Sequence, residues 1–219
     1  MQSDKALENW LKIWQASPDL EFDQGNKGNL LIRNFLGLGI ERNAEILFPL
    51  CGKAKSMFSL AEYGYRIAGI EISPVAISRF FSDHVLGVVQ GLENGTPVYI
   101  AEALPIKIYC GDLFKGVRLQ CEAFFDVAAL VAVLPEQREQ YIDTLCSMLA
   151  PKAKGIVAVV HYDGLASTAP YPVSAQAIHA LFSERFDITE LEKYEAKVHP
   201  MHPLASQRLD GVIYGVQLK

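Results

Sequence analysis

The chain has 219 residues, of which 50% are apolar and 21% are charged, with a formal net charge of −5. This composition is typical of a packed globular protein, and the acidic balance argues against nucleic-acid binding, which needs a basic surface. No apolar run reaches the about 18 residues of a membrane helix, and the N-terminal stretch lacks the apolar core of a secretory signal. The scattered cysteines form no CxxC pair, which favours a reducing cytoplasm without disulfides or zinc.

The N-terminal half alternates predicted helices and strands. The first helix has one apolar face at i, i+3, i+4 and i+7 spacing, formed by Leu7, Trp10, Leu11 and Trp14. A second helix is predicted from Asn29 to Leu38. The segment AEILFPL is a buried strand, and a helix follows Lys55. RIAGIEI is the next strand, and Pro74 stands at the favoured first position of another helix.

The C-terminal half continues this alternation after a looser stretch between His84 and Pro105, where glycines interrupt any helix. PVYIAEALPIKIYCGD predicts a hairpin or two short strands, and AFFDVAALVAV predicts a strand that runs into a loop. Pro135 begins a helix, KGIVAVVHYD is a buried strand, and Ser174 caps a further helix. Two strands end the chain, near 186–194 and 209–218. The order predicts a doubly wound, mostly parallel α/β sheet whose ligand site lies beyond the carboxyl ends of its strands.

The turn after the first strand, PLCGKAK, has one glycine where a dinucleotide-binding turn supplies three. Gly52 lets the backbone approach a ligand closely, but Leu50 and Cys51 are bulkier neighbours. The turn therefore suits a ligand without phosphates. Lys53 and Lys55 leave a phosphate contact open, although most such lysines are solvated. The missing glycines also argue against a nicotinamide-dependent oxidoreductase.

An acid ends the second strand, where Glu71 is positioned to accept hydrogen bonds from both hydroxyls of a ribose. The alternative role, capping the next helix, is filled equally well by Ser73. Asp112 follows a later strand and lies where a third loop would meet a base, with Leu113 packing on that base, although Gly-Asp is also a common turn dipeptide. A nucleoside with ribose and base but no phosphate points to S-adenosylmethionine.

The chain resembles the thiopurine S-methyltransferase family over nearly its whole length, from Asn9 to Tyr214. The resemblance is carried by FPLCGKA, GIEIS, IYCGDLF, ALVAVLPEQREQYIDTLCSML and PYPV, and near the N-terminus by NWLKIW and EFDQG. PLCGK is specific to this group, whereas related halide and thiol methyltransferases usually have a glycine-richer turn. The resemblance implies a single domain over 1–219, with helices in 1–40 capping a seven-stranded, Rossmann-like class I methyltransferase sheet in 41–219.

The same resemblance implies S-adenosyl-L-methionine as cofactor, S-adenosyl-L-homocysteine as product, and a small xenobiotic or natural-product thiol as acceptor, in a cytoplasmic monomer. The implied cofactor-binding residues are Trp10, Trp14, Phe22, Leu50, Gly52, Glu71, Ile72, Asp112, Leu113 and Asp126. The tryptophan stripe equally fits plain core packing, and both roles hold at once in a cap that packs and closes. The stretch 169–173, which contains Tyr171, is implied as the substrate mouth.

One position departs from the family pattern. Family members typically have an aromatic-Asp-Arg sequence whose arginine faces cofactor and substrate, whereas this chain has FFDVAAL, with Asp126 retained and Val127 in place of arginine. An anionic substrate loses a charge-assisted partner there, which favours a neutral or aromatic acceptor. Arg208 is the alternative source of a cation.

No residue is assigned as catalytic, because methyl transfer from a sulfonium depends mainly on alignment and exclusion of water. His161, at a strand end, and Asp23 are weak candidates for a base that would assist an alkyl thiol. The HPMHP segment, with His199 and His202, lacks companion ligands and predicts no metal site. Two alternatives stay open: methylation of another soft nucleophile, such as a selenium or tellurium species or a halide, and a cofactor-binding protein without turnover.

Overall fold

The computed structural model describes residues 2–17, 26–163, 166, 168–196, 204 and 209–219. The α-helices within these residues are α1 (Gln2–Ala16), α2 (Asn26–Leu36), α3 (Lys55–Glu62), α4 (Pro74–Asp83), α5 (Arg138–Ser147) and α6 (Ala175–Phe182). The strands are β1 (Glu45–Phe48), β2 (Arg66–Glu71), β3 (Val88–Glu93), β4 (Thr96–Ala101), β5 (Ile106–Cys110), β6 (Cys121–Val127), β7 (Leu149–His161), β8 (Phe186–Ala196) and β9 (Leu209–Leu218). Short 3-10 helices cover Leu113–Lys115, Leu130–Ala132 and Pro135–Gln137.

The described strands form one sheet in the order β3-β4-β5-β2-β1-β6-β7-β9-β8. The central strands β5, β2, β1, β6 and β7 are parallel. Antiparallel pairs extend both edges, with β3 and β4 on one side and β9 and β8 on the other. The α/β fold and the antiparallel C-terminal pair are confirmed. The expectation of seven mostly parallel strands is wrong, because the sheet has nine strands and half of its pairings are antiparallel.

The β3–β4 hairpin accounts for this difference in strand number. Its turn is the dipeptide Asn94-Gly95, with φ angles of 52° and 83°. Positive φ at both central residues defines the type I′ turn that matches the twist of a two-residue hairpin, and Asn-Gly is its preferred sequence. The segment PVYIA predicts the second strand of this hairpin, β4, whereas its first strand, β3, lies in the stretch where scattered glycines suggested only a loop.

The parallel centre of the sheet is buried on both faces, as expected for parallel strands between helices, whereas the edge strands β3 and β8 are more exposed. Consecutive side chains of a strand point to opposite faces, so Phe124 packs with the side of α5 and α6 while Phe125 packs with the side of α2, α3 and α4. Both phenylalanines are almost fully buried. This three-layer arrangement fixes the carboxyl ends of the parallel strands along a single edge.

Two helix starts follow their sequence signals closely. The Ser73 hydroxyl accepts a hydrogen bond from the backbone N–H of Ala76 and caps α4, and the Ser174 hydroxyl caps α6 through Ala177. The helix predicted to begin at Pro135 starts instead with a 3-10 turn, and α5 proper begins three residues later.

Among the described residues, no helix combines the length and apolar character needed to span a bilayer.

Candidate functional site

A cleft that is partly open to solvent lies at the carboxyl edge of the parallel strands. Its walls come from the turn after β1, the end of β2, the loops after β5 and β6, and helix α1. The lining residues are Ala6, Leu7, Trp10, Trp14, Leu50, Cys51, Gly52, Lys53, Ala54, Lys55, Glu71, Ile72, Asp112, Phe114, Val127, Ala128, Ala132, Val133, Leu134 and Gln137. The structure thus brings eight of the sequence-predicted site residues into one cleft: Trp10, Trp14, Leu50, Gly52, Glu71, Ile72, Asp112 and Val127.

The turn after β1 is the floor of this cleft, and its backbone is unusual. Leu50 and Gly52 both have positive φ, at 47° and 51°. The Cys51 N–H donates to the Ile70 carbonyl at 2.9 Å, which ties the turn to β2. The Cys51 thiol lies over Gly69, where a Cβ would come within 2.8 Å of the sulfur. Because Gly69 has no side chain, the turn packs close to the sheet, and the space on the other side of the turn belongs to the cleft.

Helix α1 closes the cleft from above through Trp14, whose side chain is 3% exposed. A Cβ on residue 52 would lie 2.9 Å from Cζ2 of the Trp14 indole, closer than real Cβ contacts allow. The positive φ favours glycine at position 52, and the absence of a side chain there allows the approach of the ring. Trp10 lines the same cleft one turn earlier and is half-buried.

Glu71 ends β2 inside the cleft, with its side chain held from two sides. Its Oε2 accepts a hydrogen bond from the Gly52 N–H at 2.8 Å, and its Oε1 accepts one from the Ser73 N–H at 2.8 Å. Each oxygen keeps a further lone pair for a ligand. Burial raises the pKa of Glu71 to about 7, although the hydrogen bonds from Ser73 and Gly52 act in the opposite direction. Ser73 alone caps α4, so the carboxylate is not needed for that purpose.

The loop after β5 forms the end of the cleft where a base is predicted. Asp112 lines it and accepts a hydrogen bond from the Phe114 N–H at 3.0 Å, which begins the short 3-10 helix. Phe114 lines the cleft beside Ile72, whereas Leu113 is 1% exposed and packs into the core. Phe114 therefore lines this end of the cleft in place of the predicted Leu113, whose side chain is buried in the core.

The wall after β6 is mainly apolar. It consists of Val127, Ala128, Ala132, Val133, Leu134 and Gln137. Ala128 has a φ of 69°, the left-handed region that favours glycine, and this strained residue lies at the cleft as such residues often do. Apart from Val127, sequence reasoning missed this wall. Its position in the chain could have predicted it, because the loops that follow neighbouring parallel strands lie together at the carboxyl edge of the sheet.

Asp126 does not line the cleft, contrary to its predicted contact with a cofactor. Its carboxylate is fully buried and accepts hydrogen bonds from the Leu130 N–H at 3.0 Å and the Tyr141 hydroxyl at 2.7 Å. Burial raises the pKa of Asp126 to about 6 against the effect of these bonds. The side chain therefore fixes the start of the β6 loop from within the protein.

The remaining predicted residues lie apart from the lining. Tyr171 is half-buried, and its N–H donates to the Val131 carbonyl behind the β6 wall at 2.7 Å. His161 is exposed at the end of β7 and does not line the cleft. Lys53 forms an ion pair with Asp83 at 2.9 Å. Its ammonium group, which the sequence left open as a phosphate contact, therefore already has an anionic partner. Five predicted or considered residues lie outside the described part of the chain: Phe22, Asp23, His199, His202 and Arg208.

Within the described ranges, histidine, cysteine and carboxylate side chains form no cluster suited to a metal ion. The titratable groups on the cleft lining are Cys51, Lys53, Lys55, Glu71 and Asp112. The arrangement thus offers a buried carboxylate, an indole cover and an apolar wall, which together suit an uncharged or cationic organic ligand with a sugar hydroxyl group.

Comparison with solved structures shows a methyltransferase fold. The chain superposes with a TM-score of 0.68 and 12% identity on the 1,6-didemethyltoxoflavin-N1-methyltransferase of Burkholderia thailandensis, covering 100% of this chain and 90% of that one. The N-methyltransferase NodS of Bradyrhizobium japonicum gives a TM-score of 0.62 at 16% identity, with 98% and 97% covered. Both of those proteins were solved with S-adenosylhomocysteine.

Sequence comparison identifies closer relatives. The chain is 33% identical over 188 residues to the thiopurine S-methyltransferase of Xanthomonas axonopodis pv. citri, covering 84% of this chain and 85% of that protein. It is 31% identical over 188 residues to the enzyme of the same name from Pseudomonas fluorescens, covering 83% and 85%. The family model for thiopurine S-methyltransferase matches residues 5–214. The chain therefore belongs to the thiopurine S-methyltransferase family, a family of S-adenosylmethionine-dependent methyltransferases.

Proposed function

We propose that the protein transfers the methyl group of S-adenosylmethionine to the sulfur of a small, uncharged thiol, in the cytoplasm and as a monomer. The observation that carries the proposal is the Glu71 carboxylate, which is held by the N–H groups of Gly52 and Ser73 and faces a cleft covered by Trp14. A ribose with two free hydroxyls suits such a carboxylate, and a turn with one glycine suits a ligand without a pyrophosphate.

The residues present fit the cofactor. Gly52 lets the Trp14 indole pack directly on the turn as a cover for the cleft, and the buried Glu71 carboxylate has lone pairs available for the ribose hydroxyls. Asp112, Ile72 and Phe114 would hold the adenine, as the polar and apolar borders of that end of the cleft. When bound, the cofactor supplies an activated methyl group on a sulfonium, which is a strong leaving group.

The wall after β6 would hold the acceptor. Val127, Ala128 and Val133 give it an apolar surface, and Gln137 adds an uncharged polar group. The chain's work at this end is to align the acceptor sulfur with the methyl group and to exclude water. No described residue of this wall is a base, so the acceptor would be a thiol that ionises readily by itself, such as an aromatic thiol.

The test combines binding and turnover. Calorimetric titration with S-adenosylhomocysteine measures cofactor binding, and release of S-adenosylhomocysteine from S-adenosylmethionine measures turnover with aromatic, heterocyclic and aliphatic thiols. We expect binding, with turnover highest for neutral aromatic thiols. Binding without turnover on any thiol would contradict S-methylation and favour a soft nucleophile other than sulfur or a non-enzymatic role. If the protein neither binds S-adenosylhomocysteine nor methylates any thiol, the assignment of the cleft as the cofactor site is contradicted.

Cofactor affinity should depend on pH through Glu71. Its pKa is raised to about 7, so the carboxyl group of the free protein is mainly protonated at pH 6 and ionised at pH 8. Ribose hydroxyls donate to the ionised form, so we expect S-adenosylhomocysteine to bind about tenfold more tightly at pH 8 than at pH 6. Calorimetry across this range measures the change, and Glu71→Gln should abolish it. A flat profile for the unaltered protein would contradict the role of Glu71.

The same group predicts the sign of a stability change in the ligand-free protein. Its pKa in the folded state, about 7, lies above the ordinary value of 4.5, so the folded protein holds this proton more tightly than the unfolded chain. The contribution of Glu71 to the free energy of unfolding should therefore fall as the pH rises from about 4.5 to about 7.

Replacing Gly52 with alanine should damage both stability and binding. Gly39→Ala is the matched control, because Gly39 also has positive φ, 64°, but a Cβ there would meet no atom within 4 Å. A left-handed alanine costs about 1–2 kcal/mol in either variant. The added Trp14 clash should make Gly52→Ala less stable than the control and weaken S-adenosylhomocysteine binding about tenfold. Chemical denaturation and calorimetry measure these effects, and equal behaviour of the two variants would rule out a role for the Trp14 contact.

A further inference from the structure

A short segment supports the acceptor wall from behind. We call residues 168–173 the strap. Its Tyr171 N–H donates to the Val131 carbonyl at 2.7 Å, and its Val173 N–H donates to the Val160 carbonyl of β7 at 2.9 Å. Val131 lies between Ala128 and Ala132, two residues of the β6 loop that line the cleft. The strap therefore fixes the backbone on which the acceptor wall is built.

Arg138, the first residue of α5, reaches the strap from the other side. Its guanidinium donates to the Pro172 carbonyl at 3.3 Å and to the Tyr171 carbonyl at 3.4 Å. The residue is only 7% exposed, and its Nε has no hydrogen-bond partner. No described carboxylate forms a salt bridge with it. The charged group is therefore held in the protein by two long hydrogen bonds to the strap.

This placement is unfavourable for stability alone. A cation at the start of a helix opposes the helix dipole, and a buried charge without an ion-pair partner loses its hydration. Burial lowers the pKa of Arg138, although the negative charge of nearby Glu136 acts against this effect. An apolar side chain of similar length would fill the same space without these costs, so the guanidinium points to a role beyond packing.

We propose that Arg138 is a positioning residue for the methyl acceptor, because it joins the strap to the start of α5 and so fixes the wall against which the acceptor binds. Its chain neighbour Gln137 lines the cleft, and the strap residue Tyr171 bonds to the wall through Val131. The cofactor end of the cleft, built on β1, β2 and β5, does not depend on this link. The inference rests on the proposed methyl transfer, and it assigns the effect of Arg138 to the acceptor alone.

The test compares Arg138→Met and Arg138→Lys with Arg185→Met as the control. Arg185 also pairs with α5, through Asp143, but it is more exposed than Arg138 and its described side-chain contacts are with α5 and not with the strap. Kinetics with thiophenol as the acceptor, well below each melting temperature, should show KM raised about tenfold in Arg138→Met. Arg138→Lys should recover about a third of that loss or more, since it keeps the charge but not the fork of donors. Arg185→Met should leave KM unchanged.

Binding of S-adenosylhomocysteine separates positioning from general damage. Its Kd should stay within about twofold in all three variants, whatever their melting temperatures. An equal loss of cofactor affinity, or a lower melting temperature with an unchanged thiophenol KM, would overturn the inference.

A second measurement keeps the inference testable if the unaltered protein methylates no thiol. Hydrogen exchange should then report the strap directly, because the Tyr171 amide is bonded to Val131. We expect this amide to exchange about tenfold faster in Arg138→Met, while the Cys51 amide, bonded to Ile70 in the cofactor turn, keeps its rate. Unchanged exchange at Tyr171 would overturn the role of Arg138, whereas absent turnover with faster exchange would count against the thiol acceptor only.

Discussion

Glu71→Gln should weaken binding of S-adenosylhomocysteine about 100-fold, which corresponds to about 2.7 kcal/mol at 25 °C. Both carboxylate oxygens accept backbone hydrogen bonds at 2.8 Å, from Gly52 and Ser73, while the group faces the cleft. A glutamine has one acceptor oxygen, so its amide would face an N–H group on one side. The variant loses a charge-assisted bond worth about 1.5–3 kcal/mol and presents the ribose with an uncharged partner. Calorimetric titration at pH 8 measures the loss.

Glu122→Gln is the control for this experiment. Its carboxylate also accepts a backbone hydrogen bond, from the Glu45 N–H at 2.7 Å, but at the opposite end of β1 from the cleft. We expect its affinity for S-adenosylhomocysteine to match that of the unaltered protein. Comparable affinities for all three proteins would show that Glu71 supports only the turn, and the ribose assignment would be withdrawn.

Val127→Arg should change which thiols the enzyme prefers. Val127 is half-buried on the wall after β6, where a longer side chain would reach the open cleft. A guanidinium there would pair with an acceptor carboxylate, and charge-assisted bonds of this kind contribute about 1.5–3 kcal/mol. We expect kcat/KM for 2-mercaptobenzoate relative to thiophenol to rise about tenfold or more. Steady-state kinetics on the two thiols measures this ratio.

Val127→Met separates charge from size in that comparison. The methionine fills a similar part of the cleft without a charge, so it should lower kcat/KM for both thiols without favouring the acid. An arginine variant with the same preference as the methionine variant would contradict the idea that residue 127 selects acceptors by charge.

Sequence reasoning identified the parts of the site that depend on backbone chemistry. A strand, one glycine and an acid at the end of the next strand specify a close-approach turn and a carboxylate beside it, and the structure places Gly52 and Glu71 2.8 Å apart through one hydrogen bond. The apolar spacing of the first helix likewise predicts which face of α1 is covered, and Trp14 lies on it. Local sequence patterns were enough to predict these features, because the residues that interact belong to one helix or to strands joined by a short connection.

The features that sequence reasoning missed depend on distant packing. Whether Leu113 or Phe114 faces the cleft is decided by the rotation of a 3-10 turn, and Asp126 turns inward because Tyr141 on α5 supplies a buried hydroxyl. Apart from the ALVAVLPEQ stretch, which carries part of the family resemblance, the wall after β6 has no local pattern that predicts a cleft, and the Tyr171 N–H that binds its backbone comes from about 40 residues away in sequence. The β3–β4 hairpin was different, since its Asn-Gly turn was present in the sequence as a direct signal.

The packing of the Cys51 thiol against Gly69 affects the reactivity of that thiol. This thiol lines the same cleft in which we propose that a methyl donor binds, so the protein's own sulfur lies beside an alkylating agent. Burial raises the pKa of Cys51 well above its ordinary value, and the negative charge of Glu71 raises it further. A thiol reacts as its thiolate, so a protonated Cys51 is a poor nucleophile. The packing that seats the turn low against the sheet therefore also keeps this thiol protonated, and we expect it to resist alkylation by a bound donor.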